Sequence, residues 1–197
     1  MNAEDSVLHR KPSDYTVSRW AGGTTTQMAI SPPEAVYADR SFLWRISSAT
    51  VDVKESTFTS LPDYERWICP LQGEMCLRHG GGAEVRLAPF DLHVFHGGDE
   101  TTSRGCCTDF NLMLRRDLAD GKAEHLETGT DLLVWTPDER AREIMVYCVS
   151  GRCTAEASGG FYELGERESL LIRGNRSVGF SGAEPAHLMI CQMWTLC

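Results

Sequence analysis

Four polar residues of this sequence could together bind a small anion. They lie in three predicted strands and are Arg45, Arg66, Asp109 and Asn111. Strand alternation puts Asp109 and Asn111 on one face of D-F-N-L-M-L, and it puts Arg45 of F-L-W-R-I-S-S-A on the same face as Ser47. A guanidinium offers two parallel donors and an amide both donates and accepts, a combination that suits a planar carboxylate. The sequence therefore predicts a carboxylate site where these side chains converge.

Three further residues complete the predicted ligand-binding set, and each has an alternative role. Thr25, inside T-T-T, either adds a hydroxyl to the pocket or holds an edge strand. Trp44 either forms an aromatic wall for a flat acid or packs in the core. His96 either contacts the ligand or acts as an acid or base in an enzyme. Arg45 also has an alternative, a permanent internal ion pair with Asp109 that leaves nothing for a ligand.

The histidine and cysteine patterns do not predict a metal site. No H-x-H triplet occurs, and in the nearest substitute, H-V-F-H, His93 and His96 point to opposite faces of a strand because they are three residues apart. The eight cysteines include no C-x-x-C pair, and their scatter favours reduced thiols in the core. The sequence predicts no metal or other cofactor and identifies no catalytic residue.

Composition and charge exclude several partners. Lys and Arg number 19 against 28 Asp and Glu, a net charge of −9, and the basic residues form no patch that would attract nucleic acid. No apolar run approaches the ~18 residues of a membrane span, and the N-terminal segment lacks the order of a secretory signal. We therefore expect a cytoplasmic protein that binds neither nucleic acid nor membrane. Apolar residues 193–196 are compatible with a homodimer interface, although such runs more often belong to a core.

The spacing of turn residues predicts an all-β chain. Glycine, proline, asparagine and aspartate recur at intervals of about 8–12 residues, a spacing typical of β-sandwiches and β-barrels. The predicted strands are residues 24–30, 42–53, 66–77, 83–87, 92–96, 109–114, 131–135, 144–149, 161–164, 169–172, 177–180 and 187–194.

A weak internal repeat predicts that this architecture is doubled. When Ile68 is aligned with Val146, Gly73 falls on Gly151, an offset of 78 residues that becomes 77 further along the chain. Such a repeat is typical of duplicated units. We therefore predict a bicupin-like fold of two small β-barrels with few short helices. Residues 1–125 would hold N-terminal strands and the first barrel, and residues 126–197 would hold the second, in one folded unit.

Short motifs run from Trp20 to about Arg116. They are W-A-G-G-T-T-T-Q, P-P, F-L-W-R-I-S-S-A-T-V, F-T-S-L-P, E-R, L-Q-G, L-A-P-F, F-H-G and D-F-N-L-M, in that order. In order and spacing these motifs resemble the HutD/Ves family of bicupin proteins. The combination of W-R-I-S-x-A with D-F-N-L-M is specific, and the resemblance is weaker in the second predicted barrel.

This resemblance implies a double-barrel protein that is associated with histidine utilisation in many bacteria. Family members are thought to bind a small pathway acid, such as formylglutamate or urocanate, and to moderate flux or expression rather than catalyse a step. The leading hypothesis is therefore a non-catalytic protein that binds a small carboxylate. The alternatives are a metal-independent cupin-type isomerase or hydrolase, with Asp109, His93 or His96 as its acid or base, or a stress-related protein of the Ves branch.

Overall fold

The computed structural model describes residues 6–196, which fold almost entirely into β-strands. The strands are β1 (Ser6–Arg10), β2 (Thr16–Trp20), β3 (Gly23–Ser31), β4 (Trp44–Val51), β5 (Glu55–Thr57), β6 (Tyr64–Gly73), β7 (Met75–His79), β8 (Glu84–Leu87), β9 (His93–His96), β10 (Thr101–Arg104), β11 (Cys107–Arg115), β12 (Ala119–Thr128), β13 (Leu133–Trp135), β14 (Glu143–Ser150), β15 (Arg152–Ala157), β16 (Gly160–Gly165), β17 (Ser169–Arg173), β18 (Val178–Ser181) and β19 (Ala186–Thr195). The helices of the described chain are two 3-10 turns, Pro12–Asp14 and Tyr37–Asp39. No helix among the described residues has the length and apolar character needed to cross a bilayer.

The first of two compact units, here called the first barrel, comprises Tyr15–Asp120 and Leu196. One of its sheets has six strands in the order β2-β3-β4-β11-β6-β9, and the other has four in the order β5-β10-β7-β8. Every strand pair with a resolved register in this barrel is antiparallel.

The second unit, here called the second barrel, comprises the described residues up to Asp14 together with Gly121–Thr195. Its sheets have the orders β1-β17-β14-β19-β12 and β13-β18-β15-β16. The N-terminal strand β1 belongs to this barrel, where Ser6 lies opposite Arg173 of β17. The second barrel is therefore built from both ends of the described chain.

The predicted repeat is confirmed by the strand pairing. The order β4-β11-β6-β9 of the first barrel recurs in the second as β12-β19-β14-β17, and β5-β10-β7-β8 recurs as β13-β18-β15-β16. Gly73 and Gly151, aligned in the sequence, lie at the ends of the equivalent strands β6 and β14 and have positive φ angles, 76° and 84°. A glycine tolerates this conformation without the steric cost that other residues incur.

The cores of the two barrels differ in composition. Among the described residues, apolar clusters of the first barrel lie around Ile68, Met75 and Leu77 and around Phe42 and Tyr64. In the second barrel, an apolar cluster of sixteen described residues is drawn from both of its sheets. The polar side chains of the candidate site lie in the first barrel and belong to neither of its clusters.

Six observed strands were not predicted from the sequence: β1, β2, β5, β10, β12 and β15. Three of them show why. Strand β2 is exposed along its whole length, so it has no buried apolar face to reveal it. In β12 the buried positions at its start are Ala119, Gly121 and Ala123, which are too small to produce a recognisable apolar alternation. Strand β1 is a short edge strand with no fully buried residue.

Candidate functional site

The six-stranded sheet of the first barrel places the two predicted arginines in line across neighbouring strands. Met113 of β11 lies opposite Arg45 of β4 on one side and opposite Arg66 of β6 on the other. Asn111, two residues earlier, lies opposite Ser47 and Ile68. Residues opposite one another in a ladder point to the same face of a sheet. The register therefore places both guanidiniums and the Asn111 amide on one inner face.

A cavity of about 280 Å³ opens on this face of the first barrel. Five of the predicted ligand-binding residues line it, and they are Thr25, Arg45, Arg66, Asp109 and Asn111. Its volume lies at the lower end of the range typical of small-molecule sites, roughly 300–1,000 Å³. The cavity therefore suits a small metabolite.

Arg45 is held by neutral groups. Its Nε donates to Oε1 of Gln27 at 2.7 Å, its Nη1 donates to the Ser47 hydroxyl at 3.2 Å, and its guanidinium lies 4.2 Å from the ring centre of Tyr37. The alternative of a permanent Arg45–Asp109 ion pair is not observed. The hydrogen bonds orient the Arg45 side chain without neutralising its charge.

Arg66, Asn111 and Asp109 form a hydrogen-bonded chain. Nη2 of Arg66 donates to Oδ1 of Asn111 at 2.8 Å, and Nδ2 of Asn111 donates to Oδ1 of Asp109 at 2.6 Å. The Arg66 guanidinium also lies 4.6 Å from the ring centre of Phe58 and 5.2 Å from that of Phe95. Asn111 thus connects the buried cation to the buried anion through its amide.

Neither guanidinium has a carboxylate partner. Among residues 6–196, no salt bridge within 4.0 Å involves Arg45 or Arg66, although the two side chains are only 5% and 6% exposed. In the same described range, the buried Nε of Arg66 has no hydrogen-bond partner. Buried charges are usually paired, so two unpaired cations lining one cavity point to an anion supplied from outside.

Burial shifts the protonation equilibria of these groups. Loss of solvent lowers the pKa of Arg45, and it lowers the pKa of Arg66 to about 10, although Tyr37 and Asp109 partly oppose the shift at Arg66. Loss of solvent also raises the pKa of Asp109 to about 6, against the opposing effects of Arg66 and of the hydrogen bond from Asn111. At neutral pH both arginines stay charged, while Asp109 lies close to its titration range.

The structure does not place Trp44 or His96 in the cavity wall. Trp44 is the neighbour of Arg45 in β4, so its side chain lies on the opposite face, where it is 3% exposed. His96 ends β9, next to Phe95, and its Nδ1 accepts a hydrogen bond from the Gly98 backbone at 3.1 Å. Neither residue is among those that line the cavity.

Sequence reasoning missed several side chains of the site. Gln27 and Tyr37 position Arg45, and Phe58 packs on Arg66. Gln27 lies at the β-bulge between Gln27 and Ala29, where the pairing of β3 with β4 shifts. Tyr37 and Phe58 lie outside the strands. Simple strand alternation cannot place any of the three.

Four histidines form two pairs, one in each barrel. Nε2 of His79 lies 2.9 Å from Nε2 of His93 in the first, and Nε2 of His125 lies 3.0 Å from Nδ1 of His187 in the second. Each distance is that of an imidazole–imidazole hydrogen bond, which needs at least one neutral ring. In the part of the chain that the structure describes, no group of three or more His, Cys, Asp or Glu side chains is placed to hold a metal ion.

The duplicated strand pairing and the polar cavity inside one barrel define the chain as an all-β bicupin protein. The cupin fold is shared with the pirin YhhW of Escherichia coli, which superposes with a TM-score of 0.68 at 9% identity over 95% of this chain and 97% of that one. The sequence model of the HutD family matches residues 12–190, and the chain belongs to the HutD family.

Two solved structures resemble the whole chain more strongly. HutD of Pseudomonas fluorescens SBW25, solved in a formate condition, has a TM-score of 0.78 and 22% identity. PA5104 of Pseudomonas aeruginosa, a conserved protein of unknown function, has a TM-score of 0.84 and also 22% identity. Each comparison covers 98% of this chain and 100% of the other. Curated protein sequences gave no match.

Proposed function

We propose that this chain is a cytoplasmic, non-catalytic binding protein for a small carboxylate and that it moderates histidine utilisation. The observation that carries the proposal is the pair of buried guanidiniums, Arg45 and Arg66, which line one cavity and have no carboxylate partner among residues 6–196. An arriving carboxylate would complete two charge-assisted interactions inside a site that already excludes most water.

The ligand class follows from the size and donors of the cavity. Its volume of about 280 Å³ admits a metabolite with few heavy atoms. The Arg45 and Arg66 guanidiniums supply N–H donors, while Thr25 and Ser47 add hydroxyls to the wall. Formylglutamate, formiminoglutamate and urocanate are small acids of this kind. The connection with histidine utilisation rests on membership of the HutD family.

The cysteines support the proposed cytoplasmic location. All seven cysteines of the described chain are free thiols, including pairs of neighbours such as Cys106 and Cys107. Unpaired cysteines in this number are typical of a reducing compartment. Burial raises the pKa of the Cys148 thiol to about 12, so this residue acts as a small apolar side chain.

Titration calorimetry with formylglutamate, formiminoglutamate, urocanate and histidine tests the proposal. We expect saturable binding of at least one carboxylate, and at least a tenfold loss of affinity in Arg45→Met and Arg66→Met, because each change removes about 1.4 kcal/mol or more of charge-assisted interaction. Arg78→Met is the matched control, since its side chain is 55% exposed and lies outside the cavity.

Three outcomes separate the hypotheses. Failure of all four compounds to bind at millimolar concentration overturns the proposed ligand class. Binding that is unchanged in both cavity variants moves the site elsewhere. Turnover of a bound acid favours instead the enzyme alternative, in which Asp109 is placed to exchange a proton because its pKa is raised to about 6.

A further inference from the structure

Asp109 has a special position in the candidate site. It is the one carboxylate among the described residues that line the cavity, and its side chain is 3% exposed. Its Oδ1 accepts the hydrogen bond from Asn111, whose own Oδ1 accepts from Arg66. Without a ligand, Asp109 is therefore the anion nearest in the hydrogen-bonded chain to the unpaired Arg66 guanidinium.

A second carboxylate at Arg66 would place two like charges in one desolvated space. Buried carboxylates that share a site do not both remain ionised, because the protonated form of one relieves the repulsion. Asp109 can accept that proton. In the protonated form it keeps one oxygen to accept the hydrogen bond from Asn111 and gains an O–H donor. A ligand carboxylate is a suitable acceptor for such a donor.

We infer that the cavity takes up its carboxylate together with one proton, which Asp109 holds while the ligand pairs with Arg66. This inference rests on the proposed carboxylate-binding function. The step conserves charge and atoms, since one proton from solvent joins the Asp109 carboxylate as one ligand carboxylate enters. Asp109 is then a specificity-determining residue that makes binding depend on pH.

Among the charged groups around Asp109, Arg66 favours its ionised form, and an arriving ligand carboxylate offsets that effect. From β4 Arg45 faces the cavity, and from β6 Arg66 faces it, both as cations. Cys69 of β6 and Cys107 of β11 interact with Asp109, but burial raises both thiol pKa values to about 12, so they stay neutral. Tyr37 completes the titratable residues of the wall. Of these groups, Asp109 alone has a pKa near neutrality, at about 6.

Calorimetry in two buffers of different ionisation enthalpy tests the inference. Wild-type protein is titrated at pH 7 with formylglutamate, urocanate and formate, in phosphate and in Tris. The difference between the apparent binding enthalpies gives the number of protons taken up. We expect between about 0.5 and 1 proton for wild type, affinity that falls up to about tenfold per pH unit above pH 7, and almost no uptake in Asp109→Asn.

Each result decides one question. Binding with equal enthalpies in both buffers overturns the proton uptake but leaves the carboxylate site intact. Uptake that persists in Asp109→Asn assigns the proton to another group and also overturns the inference. If Asp109→Asn does not fold, the two-buffer measurement on wild type, with a pH profile of its affinity, still decides whether a proton enters. Failure of all three compounds to bind contradicts the proposed function itself.

Discussion

The two barrels share one pattern of strand pairing, but equivalent buried positions are polar in the first barrel and aliphatic in the second. Asn111 of the first barrel lies opposite Ile68, just as Ile190 of the second lies opposite Val146. By this register the positions that correspond to Arg66, Asp109 and Asn111 are Ile144, Leu188 and Ile190. All three isoleucine and leucine side chains are fully buried.

This difference separates what the fold needs from what the site needs. The second barrel shows that a cupin interior accommodates buried aliphatic side chains at these positions. The polar group of the first barrel is therefore not required by the architecture, and burying it costs stability unless another role compensates. The contrast supports a binding role for the first barrel and a structural role for the second.

The largest expected effect comes from placing the charge of the first barrel into the second. Leu188→Asp introduces a carboxylate at the position equivalent to Asp109, inside an apolar cluster. We expect a loss of at least about 4 kcal/mol in the free energy of unfolding, because an unpaired buried charge is among the most destabilising changes. Urea denaturation measures it. A loss below 1 kcal/mol would show that the second barrel tolerates a polar interior.

Truncation and charge removal at equivalent positions should have opposite consequences. Ile144→Ala should destabilise the protein by about 2–4 kcal/mol through the cavity it leaves, with ligand affinity unchanged. Arg66→Met should keep more of the stability, because a hydrophobic side chain often replaces a buried charge at little cost, yet it should lower carboxylate affinity at least tenfold. Denaturation and calorimetry on both variants check this. Loss of binding in Ile144→Ala would contradict the division of roles.

The pH dependence of stability should differ between wild type and Asp109→Asn. The pKa of Asp109 is raised from 3.8 to about 6 in the folded protein, so its protonated form stabilises the fold. That contribution, about 3 kcal/mol, is complete below about pH 4 and is lost as pH rises through 6. Urea denaturation at pH 4, 5, 6 and 7 should therefore show a decline that Asp109→Asn lacks. Parallel profiles would mean that Asp109 titrates normally.

The smallest effects concern the turn glycines that the repeat shares. Gly73→Ala and Gly151→Ala should each cost about 1–3 kcal/mol, since both have positive φ and a new Cβ would lie 2.7 Å and 2.6 Å from backbone oxygens of Cys106 and Pro185. Gly159→Ala, also at positive φ but with open space around its Cβ position, is the control and should cost less. Thermal unfolding measures all three. Unequal losses at Gly73 and Gly151 would weaken the structural equivalence of the two turns.

The sequence was sufficient for the fold class and for much of the site. Strand alternation placed Arg45 with Ser47, and Asp109 with Asn111, because the members of each pair are two residues apart in one strand. Alternation could not show that Arg66 hydrogen-bonds to Asn111 rather than forming an ion pair, since that depends on side-chain conformation across two strands.

The contacts that could not be predicted come from residues outside the regular alternation of a strand, or from strands whose partners are distant in the sequence. Tyr37 reaches Arg45 from a 3-10 turn, and Gln27 does so from a bulge, where the period of two is interrupted. The pairing of β1 with β17 is equally invisible in the sequence, because a short edge strand with no fully buried residue carries no information about a distant partner.

That pairing has a consequence for synthesis. Strand β1 is the first described strand to leave the ribosome, yet its partner, residues 169–173, is made more than 150 residues later. At roughly 5–20 residues per second, β1 waits about 10–30 s for its hydrogen bonds, while every strand of the first barrel can already pair. The strands of the first barrel can therefore pair before the second barrel can close. Arg10 and His9 keep the waiting strand polar, which protects it from pairing with other nascent chains.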